Sequence, residues 1–407
     1  MPTFATWMCI AHKLREKNIG KKMALKGVRV IEMAGLAPAP FCGMILSDFG
    51  ASVTRIDRTP GKRQAIVHGL DTLSRGKRSV AVDLKQPEGI NVVRKLCSKA
   101  DVVIEPFRKG VMEKLGLGPE KLMADNPGLI YARLTGFGQK GPLAAKAGHD
   151  INYIAISGVL SQLGRKHENP YPPINLLADF AGGGLMCALG IAMALYERTN
   201  SGQGQLIDAN MVNGSAYLST FLWTSRDIPI WPGKRGENNL DGGAAFYGTY
   251  KTKDEKYVSI GPLEPQFYAA LLKGLGLSED EMPQHTDADI MEKRFAEIFL
   301  TKTREEWTKT FENLDACFAP ILEMDEAQTH DHNIETEIFL TNNRGKTEPA
   351  PAPKLSRTPG VQTLEKRPKI GEHTQSVLIE NGMSKTDVEK LLQAGIVFQN
   401  AQSSAKL

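Results

Sequence analysis

The five cysteines of this 407-residue chain are too few and too scattered to organise it. Cys9, Cys42, Cys97, Cys187 and Cys317 are odd in number and contain no CxxC pair. This spacing argues against a disulfide framework or a thiolate zinc site and fits a reducing compartment. A GxGxxG turn is also missing after the first strand-like segment, so the usual dinucleotide pyrophosphate cradle is absent and a nicotinamide enzyme is disfavoured. The net charge is only +4, with no basic stripe of the kind nucleic acid requires. A local cationic cluster could still hold a small polyanion. The apolar run 182–195 is shorter than a membrane span and carries Gly182, Gly183, Gly184 and Gly190, so it reads as a buried core helix. No internal repeat is present.

What remains is an ordinary globular composition, 41% apolar and 24% charged, over a length that calls for two or three domains. A β-branched segment, Val28 to Met33, is followed by the turn Gly35-Leu36-Ala37-Pro38-Ala39-Pro40. A helical stretch, Phe41 to Phe49, and a second strand, Ala51 to Asp57, complete a βαβ unit. Strands at 79–84, 101–105 and 129–134, with a helix at 88–99, continue the rhythm. The fold class expected is α/β with a doubly wound parallel sheet, which binds ligands beyond the carboxyl ends of its strands. Arg55 and Arg58, Lys85, and Arg108 with Lys109 stand at three such ends. Each could be solvated surface charge, but together they suit a phosphate-bearing ligand.

A second region begins near Gly242-Gly243 with a hairpin, Phe246 to Thr252 and Lys256 to Ile260. Helices from Pro265, Ile290 and Thr303 follow, the last with Thr303 and Glu306 at capping-box spacing. The expected organisation is an extension (1–22), a large domain (23–230), a smaller α+β domain with linkers (231–345), a return to the large domain (346–400) and a tail (401–407). The extension is basic and poor in acids, as a mitochondrial leader would be, or simply precedes the domain. The terminal Ala405-Lys406-Leu407 is a variant of the peroxisomal Ser-Lys-Leu address, so the peroxisome is the expected location, with the mitochondrion as a second address.

Two segments carry the chemistry. In Gly148-His149-Asp150-Ile151-Asn152-Tyr153, an imidazole follows a glycine and precedes polar residues at a possible helix start. By its surroundings alone His149 is a structural histidine or a catalytic one. In Asn175-Leu176-Leu177-Ala178-Asp179-Phe180-Ala181-Gly182-Gly183-Gly184, one carboxylate sits in an apolar run. Burial would raise the pKa of Asp179 and let it act as an acid, while the plain alternative is a cap for a helix over 181–196. Glu264 opens another helix, where dipole complementation is sufficient explanation. His330 and His332 flank Asp331 without further ligands at metal spacing, so no metal is expected.

These two segments, with Gly204-Gln205-Leu206-Ile207-Asp208-Ala209-Asn210-Met211-Val212 and Leu263-Glu264-Pro265-Gln266-Phe267-Tyr268, resemble the racemase branch of the family III CoA-transferase superfamily. The resemblance runs from about Met23 to the last helix; residues 1–22 and the loop from Lys62 to Leu73 depart from it. It implies a Rossmann-like large domain built from both chain ends, a smaller middle domain, and two chains interlocked as a homodimer. It implies interconversion of (2R)- and (2S)-2-methyl-branched acyl-CoA thioesters through an enolate, feeding peroxisomal β-oxidation of branched fatty acids and bile-acid intermediates. His149 and Asp179 would be the two proton acceptor/donors, with Glu264 of a second subunit orienting His149. Arg58, Val82, Asp83, Leu84, Lys85 and Arg108 would hold CoA. Gly148, Asp150, Ile151, Asn152 and Tyr153 would line the thioester, with an amide near Asp150 binding the enolate oxygen. No cofactor beyond the CoA of the substrate is implied. The other activity of the superfamily is CoA transfer, with Asp179 as a covalent nucleophile.

Overall fold

The computed structural model describes residues 23–60, 71–341, 345–361 and 367–400. The leader at 1–22, His12, His68, most of the departing loop, and Ala405-Lys406-Leu407 lie outside the described residues. The chain divides into two compact units: 1–154 with 175–217 and 340–407, and 155–174 with 218–339. Residues 155–174 and 218–230, expected in the large domain, group with the second unit.

The first unit is organised by β1 (Arg29–Met33), β2 (Ser52–Asp57), β3 (Arg78–Val82), β4 (Val102–Glu105), β5 (Ile130–Thr135) and β6 (Leu206–Asn210). They lie in the order β3-β2-β1-β4-β5-β6, all parallel, with Val397–Phe398 added antiparallel on the outer edge of β3. Every residue of β4 and β5 is buried, as in strands covered on both faces, and the charges they carry, Glu105 and Arg133, pair with each other at 3.2 Å. The chain leaves β1 in both directions, so the crevice between the ends of β1 and β4 is the switch point where ligands bind.

Helix α1 (Pro38–Asp48) follows β1 directly, started by proline at its first turn. The expected helix over 181–196 is longer and begins earlier. A π-helix, Leu176–Leu185, runs straight into α2 (Met186–Ser201). Among the described residues this pair is long and apolar enough to cross a membrane, yet Gly182 to Gly184, Cys187, Ile191 and Leu195 are buried in the unit. A Cβ on Gly214 would stand 1.8 Å from the carbonyl oxygen of Gly182, so two backbones touch where only glycine fits.

The second unit has a three-stranded antiparallel sheet, β7 (Gly248–Lys251), β8 (Tyr257–Ile260) and β9 (Phe318–Pro320). Its core is aromatic, with Tyr250, Tyr268, Phe295, Phe299, Trp307 and Phe311 buried together. Thr303 and Glu306 form the expected capping box.

Candidate active site

The carboxyl ends of the strands open onto two cavities sharing the wall Gly35 to Ala37. The larger, about 640 Å³, collects Arg108 from the end of β4, Gly136 and Phe137 after β5, then Lys146, Gly148, His149, Tyr153 and Asp179. The N-terminal end of α1 also faces it through Ala37 to Ala39, bringing a positive dipole end toward any anion. The smaller, about 430 Å³, collects Arg58 with Arg55, Asp57, Asp71 and Phe180.

The segment 148–153 is braced locally by its own side chains. The amide of His149 donates to Asn152 Oδ1 at 3.0 Å, and the Tyr153 hydroxyl donates to the Gly148 carbonyl at 2.5 Å. A Cβ on Gly148 would meet the Tyr153 ring at 2.7 Å, so glycine is required beside the histidine. His149 thus sits at the N-cap position of a short helix, Asp150–Ile156. Its imidazole is exposed and makes no hydrogen bond among the described residues. The amides of Asp150 and Ile151 also lack an acceptor there, leaving two donors at the end of the helix.

Asp179 lies inside the π-helix, not ahead of the helix as a cap. The capping role belongs to Asp150, whose Oδ2 accepts from the amides of Ala178 at 2.7 Å and Asp179 at 2.8 Å. Burial pushes the Asp179 carboxyl above its ordinary range. A hydrogen bond from Asn175 Nδ2, at 3.1 Å, opposes that rise; the Asp150 charge adds to it and His149 opposes it. His149 and Asp179 therefore line one cavity within electrostatic reach of each other.

Of the other anticipated residues, Arg108 and Arg58 face the cavities without a carboxylate partner among the described residues. Val82 to Lys85 line neither. Val82 is wholly buried in the core, and Asp83 Oδ1 accepts from the Lys85 amide to form a turn. Ile151 and Asn152 are exposed and Asp150 is buried. Glu264 belongs to the second unit, exposed at the N-cap position of the helix Pro265–Leu275 without capping it. Lys146 also lines the larger cavity, and a lysine three residues before His149 is a signal visible in the sequence. Arg55 was read as one of the cationic strand ends, but it is committed inside the protein, bonded to Asp57 at 2.9 Å and to Asp71.

A charged cavity at the switch point, with an imidazole and a raised carboxyl but no glycine fingerprint, matches a particular group of proteins. Residues 25–374 match the model of CoA-transferase family III. The chain belongs to CoA-transferase family III. It is 56% identical to mouse alpha-methylacyl-CoA racemase over 92% of this chain and 98% of that one. It is 54% identical to the human alpha-methylacyl-CoA racemase over 93% and 98%. Its fold is similar to the crystal structure of a CAIB/BAIF family protein from Brucella suis, with a TM-score of 0.75 over 89% of this chain and 100% of that chain, at 24% identity.

Proposed function

We propose that this chain is an isomerase that interconverts the (2R) and (2S) epimers of 2-methyl-branched acyl-CoA thioesters. The observation that carries the reading is that His149 and Asp179 line one cavity with Arg108 and Lys146. A thioester α-proton is weakly acidic, so a site must both accept it and stabilise the enolate. His149 takes the proton from one face as its imidazole becomes imidazolium. The planar enolate keeps no stereochemical memory, and the protonated Asp179 returns a proton to the other face. In the reverse direction the Asp179 carboxylate accepts and the His149 imidazolium donates. Each positioned acid or base contributes roughly 10²–10⁴-fold. The open Asp150 amide is the assigned donor to the enolate oxygen, a contact of about 3 kcal/mol in comparable sites. Arg108, Lys146 and Arg58 hold the CoA phosphates. The CoA is part of the substrate, and the proton transfers require no further cofactor.

The active form is an interlocked homodimer in which Glu264 of a second copy orients His149. Its support is the exposed apolar stripe Leu185, Leu189, Met193 and Tyr196 on the helix carrying Asp179. Delivery to the peroxisome through Ala405-Lys406-Leu407, for branched fatty acyl and bile-acid intermediates, completes the reading. A CoA transferase would use Asp179 as a nucleophile and has no need of a base at His149. The test is incubation of a 2-methylacyl-CoA in deuterated water without an acceptor acid. Deuterium should enter the α-position with loss of configuration; no incorporation would refute the racemase.

A further inference from the structure

Asp150 occupies a position that its neighbours do not. Its main chain follows His149 directly, while its carboxylate reaches across to the amides of Ala178 and Asp179. Asn175, at the start of the π-helix, makes no capping bond of its own, and among the described residues the side-chain cap there comes from Asp150. The residue is 3% exposed, and its second carboxylate oxygen, Oδ1, has no hydrogen-bond partner among the described residues. Burying a carboxylate with one oxygen unsatisfied is costly unless the other oxygen is held firmly, here by two amides at the positive end of a helix.

We infer that Asp150 is a positioning residue whose carboxylate ties the His149 segment to the Asp179 helix and so sets the separation of the two proton-transfer groups. The inference rests on the racemase reading above. A covalent chain runs from His149 into Asp150, and two short hydrogen bonds cross to the backbone of Ala178 and Asp179. Inversion needs both groups in register with one α-carbon, whereas exchange on one face needs only one of them. His149 is exposed, so the proton it takes can be replaced by a solvent deuteron before it is returned.

Loosening the tie should therefore separate two rates that run together in the native protein. In deuterated water, with the epimer whose α-hydrogen faces His149, Asp150→Ala should lower inversion by 100-fold or more. Incorporation with retained configuration should fall by less than 10-fold. Asp150→Asn keeps an acceptor for both amides, and its ratio of inversion to retentive exchange should stay within about threefold of the native value. An equal fall of both rates in Asp150→Ala overturns the inference, as does a ratio in Asp150→Asn as low as in the alanine variant. If Asp150→Ala does not fold, Asp150→Glu carries the test. Its extra methylene displaces the Asp179 helix, so the ratio should fall, and an unchanged ratio overturns the inference. A native chain that incorporates no deuterium overturns the racemase reading and this inference with it; an unchanged ratio overturns this inference alone.

Discussion

On one side of the Gly35–Ala37 wall every lining charge except Arg58 is already paired within the protein; on the other the charges are left open. In the smaller cavity Arg55 is bound to Asp57 and Asp71, and Ser79 donates to Asp57 at 2.6 Å. Beneath it Lys77 and Glu32 pair at 2.6 Å with both side chains fully buried. In the larger cavity Arg108, Lys146 and His149 have no ion-pair partner among the described residues, and Asp179 is held only by the amide of Asn175. Paired buried charges keep their state and so give a fixed shape. Unpaired groups with an environment that raises or lowers them are the ones able to exchange protons or accept a ligand's charge.

The contrast breaks first under paired substitutions. His149→Ala removes an exposed side chain with no hydrogen bond, so racemisation should fall by about 10²–10⁴-fold while the unfolding midpoint is unchanged. Arg55→Met strands Asp57 and Asp71, so it should cost about 3–5 kcal/mol of stability. Denaturant titration of both variants, with racemisation followed by optical rotation, checks this. If His149→Ala unfolds as readily as Arg55→Met, the division between the two cavities is wrong.

A smaller effect falls on binding. Arg108 has no carboxylate to neutralise it and can give its whole charge to a phosphate. Arg108→Ala should raise KM about 10-fold or more with kcat kept, since a hydrogen bond to a charged group contributes about 1.5–3 kcal/mol. A fall in kcat at constant KM would instead move Arg108 to the reacting atoms.

This difference between the cavities was only half legible beforehand. The parallel sheet, and cationic residues at the ends of its strands, follow from buried β-branched runs whose period is local. The larger cavity's two proton-transfer residues stood out because each lies in an unusual context within a few residues. The resemblance implies a role for the Asp150 amide, but the Asp150 carboxylate acts on residues 28 and 29 positions away, and no local pattern announces such a bond. The same distance hid the commitment of Arg55 to Asp71, 16 residues on. The role of Val82 to Lys85 rests on resemblance alone: Val82 is buried at the end of β3, Asp83 and Lys85 form a turn, and none of the four lines either cavity.

The smallest effect tests the electrostatics of the larger cavity directly. Turnover in either direction needs one proton shared between His149 and Asp179, so activity falls at acid pH when both carry one. Burial raises the Asp179 carboxyl, and the bond from Asn175 Nδ2 stabilises its charged form and restrains that rise. Asn175→Ala removes the restraint, so Asp179 holds its proton to higher pH. The doubly protonated, inactive form then persists further up the scale. The acid limb of kcat/KM should move upward by about one pH unit, the equivalent of the roughly 1.5 kcal/mol such a bond contributes. A limb that stays in place, or moves downward, would mean that Asp179 does not carry it.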